Sequence, residues 1–137
     1  MFELVRWPDL PDSGEFVYQI RMLSIRDRCT ALDSLIEMRI RHTVDYKKLL
    51  NSARYVLTRP DSEDGIHVRA SRRHRGVFEL KGGQIRLFYF VSAEGDVAVC
   101  TNVYWKAKSS RNEQNAAFEK CARLRMDYLN WWEEKVR

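Results

Sequence analysis

Between Val77 and Asp127 the chain runs strand, Gly-Gly turn, strand, short turn, strand, basic loop and long helix, and this order constrains the fold more than any other segment. The strand segments are Val77–Lys81, Gln84–Ser92 and Asp96–Tyr104, rich in β-branched and aromatic residues, and Trp105–Ser110 follows them. Gly82-Gly83 suits a two-residue hairpin, whose central positions favour positive φ. That turn sets Lys81 opposite Gln84, Glu79 opposite Arg86 and Val77 opposite Phe88. A three-residue loop at Ala93–Gly95 sets Ser92 opposite Asp96, which brings Arg86 beside Asn102 and Gln84 beside Tyr104.

Strand alternation then assigns two faces. One carries Phe78, Leu80, Ile85, Leu87, Tyr89, Val91, Val97, Val99 and Val103, and is expected to lie buried under the helices. The other carries Glu79, Lys81, Gln84, Arg86, Phe88, Asn102 and Tyr104, with Lys106 and Lys108 just beyond, and is expected to be open.

Upstream, Phe2–Trp7 allows a short edge strand within an otherwise irregular N-terminal extension over residues 1–15, broken by Pro8, Pro11 and Asp12-Ser13-Gly14. Phe16–Leu23 predicts a strand. A helical pattern starts at Ser24, with Ile25, Cys29, Leu32, Leu35, Ile36 and Ile40 on one stripe. A second runs to about Leu57, with Thr43 as its cap, so the two form a hairpin or one helix bent near His42. Ile66–Gly76 is a basic connector. The last helix opens on a capping box, Ser110 to Glu113, and Ala117, Cys121, Leu124, Tyr128 and Trp131 share one face. The fold class is therefore α/β of the α+β kind: a small antiparallel-rich sheet packed on an N-terminal helical hairpin and a long C-terminal helix. One domain over residues 1–137 is expected.

The net charge of +5 is concentrated, because Ile66–Arg111 holds nine Lys/Arg against three acids. A concentrated positive field points to a polyanion or an acidic protein segment as partner. Cys29, Cys100 and Cys121 are far apart and form no Cys/His cluster, so zinc is not expected and the thiols are expected to be reduced and mostly buried. No apolar run approaches a bilayer span and no apolar signal core opens the chain, so a cytoplasmic, non-membrane protein is expected.

A phosphodiester needs cations, and arginine can offer two parallel hydrogen bonds. Arg86 and Lys81 are the candidates for that charge, with Lys106 or Lys108 on a flanking phosphate. Arg69, Arg72, Arg73, Arg75 and Arg111 extend the basic surface, and Phe88 could stack on a base. The competing structural roles are an Arg86–Glu79 ion pair and a hydrophobic contact for Phe88. For acid–base work the candidates are His74, Glu79 and Tyr104, histidine because its ordinary pKa lies nearest neutrality. Replacing Arg86 with Ala is expected to abolish activity and leave the fold intact.

Three motifs also carry a family resemblance. Glu79-Leu80-Lys81, Ile85-Arg86-Leu87-Phe88-Tyr89 and Lys106-Ala107-Lys108-Ser109, followed by a helix with an early Ala pair, resemble the RelE/HigB superfamily of bacterial toxins, most closely its phage-derived HigB-like (Gp49-like) branch. The resemblance spans roughly residues 16–130. It implies a type II toxin–antitoxin toxin: a metal-independent endoribonuclease (mRNA interferase) without cofactor, cleaving mRNA on the ribosome and inhibiting translation. It also implies silencing by a cognate antitoxin, of helix-turn-helix type, in a hetero-oligomer. Position by position, Arg86 matches the family's second-strand arginine, Lys81 its first-strand arginine, and Lys106 and Lys108 its basic residues after the third strand. Departures are Lys81 for arginine, Glu79 where RelE-type nucleases have lysine, and Asn112 near the place of RelE's C-terminal tyrosine. Two other classes remain: a ParE-like gyrase poison on the same scaffold, and a non-catalytic nucleic-acid- or protein-binding module of a phage or defence locus.

Overall fold

The computed structural model describes residues 1–10, 18–58, 63–108 and 111–136. In chain order its elements are β1 (Phe2–Arg6), β2 (Gln19–Ile25), α1 (Thr30–Arg41), α2 (Thr43–Thr58), β3 (Val68–Ala70), β4 (Val77–Gly82), β5 (Ile85–Val91), β6 (Val97–Trp105), a short 3₁₀ turn (Lys106–Lys108) and α3 (Arg111–Val136). The strands form one mixed sheet in the order β1-β2-β6-β5-β4-β3. Among the described residues the β2–β6 pairing is parallel and the other four are antiparallel. An α+β class with a long C-terminal helix is thus observed.

The sheet is covered on both faces, which corrects the expectation of one open face. Helices α1 and α2 bury Trp7, Met22, Leu35, Leu49, Val56, Leu80, Leu87 and Tyr89. Helix α3 lies across the opposite face on Phe88, Phe90 and Val99, contributing Phe118, Cys121 and Tyr128. Its expected stripe is recovered, with Leu124 and Trp131 partly buried beside those residues. The expected cap at Ser110 falls outside the described residues.

The hairpin joining β4 and β5 turns through Gly83-Gln84 instead of Gly82-Gly83, so Gly82 pairs with Ile85 and Lys81 with Arg86. The change advances the pairing by two residues, and an even shift leaves every side chain on its assigned face. The two glycines have separate reasons. Gly83 holds φ +55, whereas a Cβ on Gly82 would overlap the backbone of Leu49, because α2 packs directly on the strand there.

Strand β6 changes phase midway. Its pairing with β5 is shifted between Phe88 and Tyr89, where Tyr89 faces Cys100 and Phe88 faces Asn102, leaving Thr101 as the extra residue of a bulge. Val97 and Val99 therefore point to α3, against expectation, while Val103 keeps the helical-hairpin side.

The start of α1 is also later than the periodicity suggests. Arg26 and Asp27 both adopt left-handed φ, 52 and 66, and Ile25 and Arg28 exchange backbone hydrogen bonds across them. That tight turn ends β2 and delays the helix to Thr30. Thr43 does not cap α2 from outside: it is the helix's first residue, and its Oγ1 donates to Arg39 O at the end of α1. Residues 1–15 are not irregular throughout, since β1 pairs with β2 and Trp7 and Leu10 are buried in the core.

Candidate functional site

The connector Ile66–Gly76 contains β3, and this edge strand completes the site. Arg69 lies opposite Glu79. One step outward Lys81 N donates to His67 O at 2.8 Å, which keeps His67 opposite Lys81. Lys81 pairs with Arg86, and Arg86 with Tyr104. Neighbouring strands are about 4.8 Å apart, so the backbone positions of His67, Lys81, Arg86 and Tyr104 form one cross-strand row. The His67 ring, just before β3, nevertheless turns onto Tyr55 of α2, while Tyr104 stacks on Phe88 on the α3 side. The next row inward is Arg69, Glu79, Phe88 and Asn102.

The first turns of α3 close over the inner row. Gln114 Nε2 donates to Glu79 Oε2 at 3.0 Å, Asn102 Nδ2 donates to Ala117 O at 3.1 Å, and Phe118 packs edge-on to Phe88. Phe88 is fully buried, so it takes the packing role and offers no face to a base. Glu79 is 1% exposed and Arg86 6%, with Arg86 Nε 3.0 Å from Glu79 Oε1. That nitrogen has no well-aligned hydrogen bond, so the contact is chiefly ionic; Nη1 donates to Gly83 O at 2.7 Å and Ile85 O at 3.0 Å. The ion pair expected for these two residues is present, but it is diagonal and interior. An Arg86→Ala change would strand a buried carboxylate, so the buried pair argues for a loss of stability in that variant in place of an intact fold.

The outer row is more accessible. Lys81 is half-buried and its Nζ donates to Gly65 O at 3.1 Å. Burial lowers its pKa, partly offset by Glu79, and the charges of Arg69, Arg86 and Lys106 push in the same downward direction. Tyr104, half-buried and stacked on Phe88, has its pKa raised by burial and by Glu79, so the phenol stays protonated at neutral pH and can donate. A cleft of about 380 Å³ opens between Lys48, Asn51 and Ser52 of α2 and the strand-end residues His67, Lys81 and Arg86.

The other sequence candidates divide between two places. Lys106 is exposed and electrostatically coupled to Lys81. Arg69, Arg72, Arg73 and His74 line a separate cleft of about 170 Å³ with Ser71, Asn115 and Phe118. His74 is thus not brought into the Lys81–Arg86–Tyr104 row. Arg75 and Arg111 are exposed, and the side chain of Lys108 lies outside the described residues. Among the described residues no cluster of three His, Cys, Asp or Glu could hold a metal ion, and no helix is long and apolar enough to cross a membrane.

No family model and no curated protein matches the chain. Among solved structures it is similar to one chain of the archaeal RelE–RelB complex from Pyrococcus horikoshii OT3. The TM-score is 0.46 and the identity 11%, over 69% of this chain and 98% of that one. A likeness at that level decides nothing about what this chain does.

His67 is the member of the row that sequence reasoning missed. Its signal was the alternation His67-Val68-Arg69, one apolar residue between two polar ones, hidden in a run that is otherwise basic and punctuated by Ser71 and Gly76. Val68 is fully buried, which is what a strand at that place requires.

Proposed function

We propose that this protein is the toxin of a type II toxin–antitoxin pair, an endoribonuclease of the RelE/HigB kind that cuts mRNA, on the ribosome, in the cytoplasm. The observation that carries this reading is the outer row: Lys81 and Arg86 line an open cleft, Tyr104 is the next cross-strand position beside Arg86, and Lys106 is in electrostatic reach of Lys81. These are also the positions that carry the sequence resemblance, apart from Tyr104.

Transphosphorylation of RNA builds negative charge on the phosphorane oxygens, and fixed cations near those oxygens lower the barrier. Lys81, in the cleft, and the exposed Lys106 are cations that can touch a phosphate. Arg86, pinned by Glu79 and two carbonyls, acts chiefly as a fixed positive field behind them. Glu79 is a positioning residue, since Arg86 and Gln114 already engage its carboxylate. Tyr104, kept protonated, can donate a hydrogen bond to a developing oxyanion. An acidic antitoxin segment lying on the basic surface would neutralise it, and such a complex weakens as salt rises.

The test is induced expression in a bacterial host of wild type, Lys81→Ala and Lys106→Ala, with 5′ ends of cellular mRNA mapped. Growth arrest with new 5′ ends inside reading frames, reduced in both variants, is the expected result. Arrest with intact mRNA would replace this reading by a gyrase-type poison. No arrest from soluble wild-type protein would replace it by a binding module.

A further inference from the structure

The fourth position of the outer row is occupied by a histidine whose ring is held by a carboxylate and an aromatic side chain. His67 Nδ1 lies 2.6 Å from Asp64 Oδ2. A carboxylate can only accept, so Nδ1 carries the hydrogen, and in the neutral ring the lone pair then lies on Nε2. Asp64 is itself immobilised: its Oδ1 accepts from the amides of Ile66 at 2.9 Å, His67 at 2.7 Å and Val68 at 3.1 Å. Burial pushes the Asp64 carboxyl up, but the His67 contact and the Val68, His67 and Ile66 amides outweigh it and hold the group well below the usual carboxylate range. The imidazole stacks on Tyr55 of α2, centroids 5.7 Å apart at 19°, which fixes its plane. Charged groups around it are Asp64 on its own loop, Lys48 of α2, Lys81 of β4 and Arg86 of β5.

We propose that His67, oriented by Asp64, is a catalytic residue whose Nε2 takes the proton of the attacking 2′-hydroxyl in the cleft it shares with Lys81 and Arg86. This rests on the ribonuclease reading above and deepens it. The O2′–P bond forms and the P–O5′ bond breaks. The 2′-hydroxyl proton passes to His67 Nε2, and O5′ takes a proton from the Lys81 ammonium. The products are a 2′,3′-cyclic phosphate and a 5′-hydroxyl, and solvent returns the proton from His67 to Lys81. No oxidant, reductant or further reactant is consumed. Burial and the neighbouring cations, which lower the Lys81 pKa, make that ammonium a better acid than an exposed lysine. His74, the histidine that the sequence offered as an acid–base candidate, has no carboxylate partner among the hydrogen bonds of the described residues and no place in this cleft.

The experiment is single-turnover cleavage of mRNA, free and in a translating extract, by the purified full chain and its His67→Ala variant across pH. Binding to a 2′-deoxy-substituted RNA and thermal melting are measured alongside. The expected result is a loss of at least about 100-fold in rate, disappearance of the limb along which the wild-type rate rises with pH, and partial rescue by added imidazole, with binding and melting unchanged. A variant that cleaves within about threefold of wild type with the same pH profile overturns the inference and leaves the ribonuclease reading standing. So does a variant whose loss tracks weakened binding or melting and is not rescued by imidazole. A wild type that cleaves neither free nor translating mRNA overturns both.

Discussion

Arg86 and Glu79 illustrate how one pair of side chains can carry two roles that a sequence alone leaves balanced. Lys81, a like charge, stands directly opposite Arg86, so the arginine's side chain reaches diagonally to Glu79 instead. With Glu79 only 1% exposed, deleting the guanidinium leaves a carboxylate in the interior. Arg86→Ala is therefore expected to cost about 3–5 kcal/mol of stability, against about 1 kcal/mol or less for Lys81→Ala, whose head group is half-buried at the sheet end. Urea denaturation of the two variants measures the difference. Equal midpoints would contradict the buried ion pair. The sequence showed that these residues share a face and lie within reach of each other. It could not show that the face was interior, because a buried Glu79, Arg86 and Asn102 imitate the polar side of a half-exposed sheet.

Among the elements, those with sustained period were legible: β4 and β5 through alternation, α2 and α3 through their apolar stripes; β6 was legible as a strand, but the bulge at Thr101 hid the phase of its first half. Two were not, for local reasons. Strand β3 is three residues long, too short for alternation to rise above a basic run. The onset of α1 is set by two left-handed residues that are not glycine, Arg26 and Asp27, of which only the aspartate belongs to a type enriched there. Since β3 positions His67, that residue was missed, while Lys81, Arg86 and Tyr104 were placed on one face but in two different rows, which the shifted hairpin registers bring into one. The contact between α2 and β4 makes its own prediction. Gly82→Ala would drive a methyl into the backbone of Leu49, and a rigid helix cannot yield as a side chain would. The variant is expected to lose about 1–3 kcal/mol, read as a lowered melting temperature. A melting temperature at or above that of wild type would mean that α2 can lift from the strand at no cost.

Taken whole, the molecule hides its thiols and displays its charge. Cys100 and Cys121 are buried, and burial raises both thiols, Cys121 up to about 12; Cys29 is half-buried and raised less. Iodoacetamide at neutral pH is expected to label Cys29 first and slowly, and the other two only after unfolding, as peptide mass spectrometry would reveal. Equal labelling of all three in the native protein would contradict the two-sided core. The bulge at Thr101 reaches further, into which changes of chain length the molecule can survive. It lets the first half of β6 send its valines toward α3 and still deliver Tyr104 to the row. Losing Thr101, or gaining a residue between Asn102 and Tyr104, would rotate the strand's outer end half a turn and present Val103 or Trp105 where the phenol belongs. The exposed loop at Ala93–Gly95 can lengthen freely, but the nine residues of β6 are a counted interval. Drift by substitution is open to them, and drift by insertion or deletion is closed.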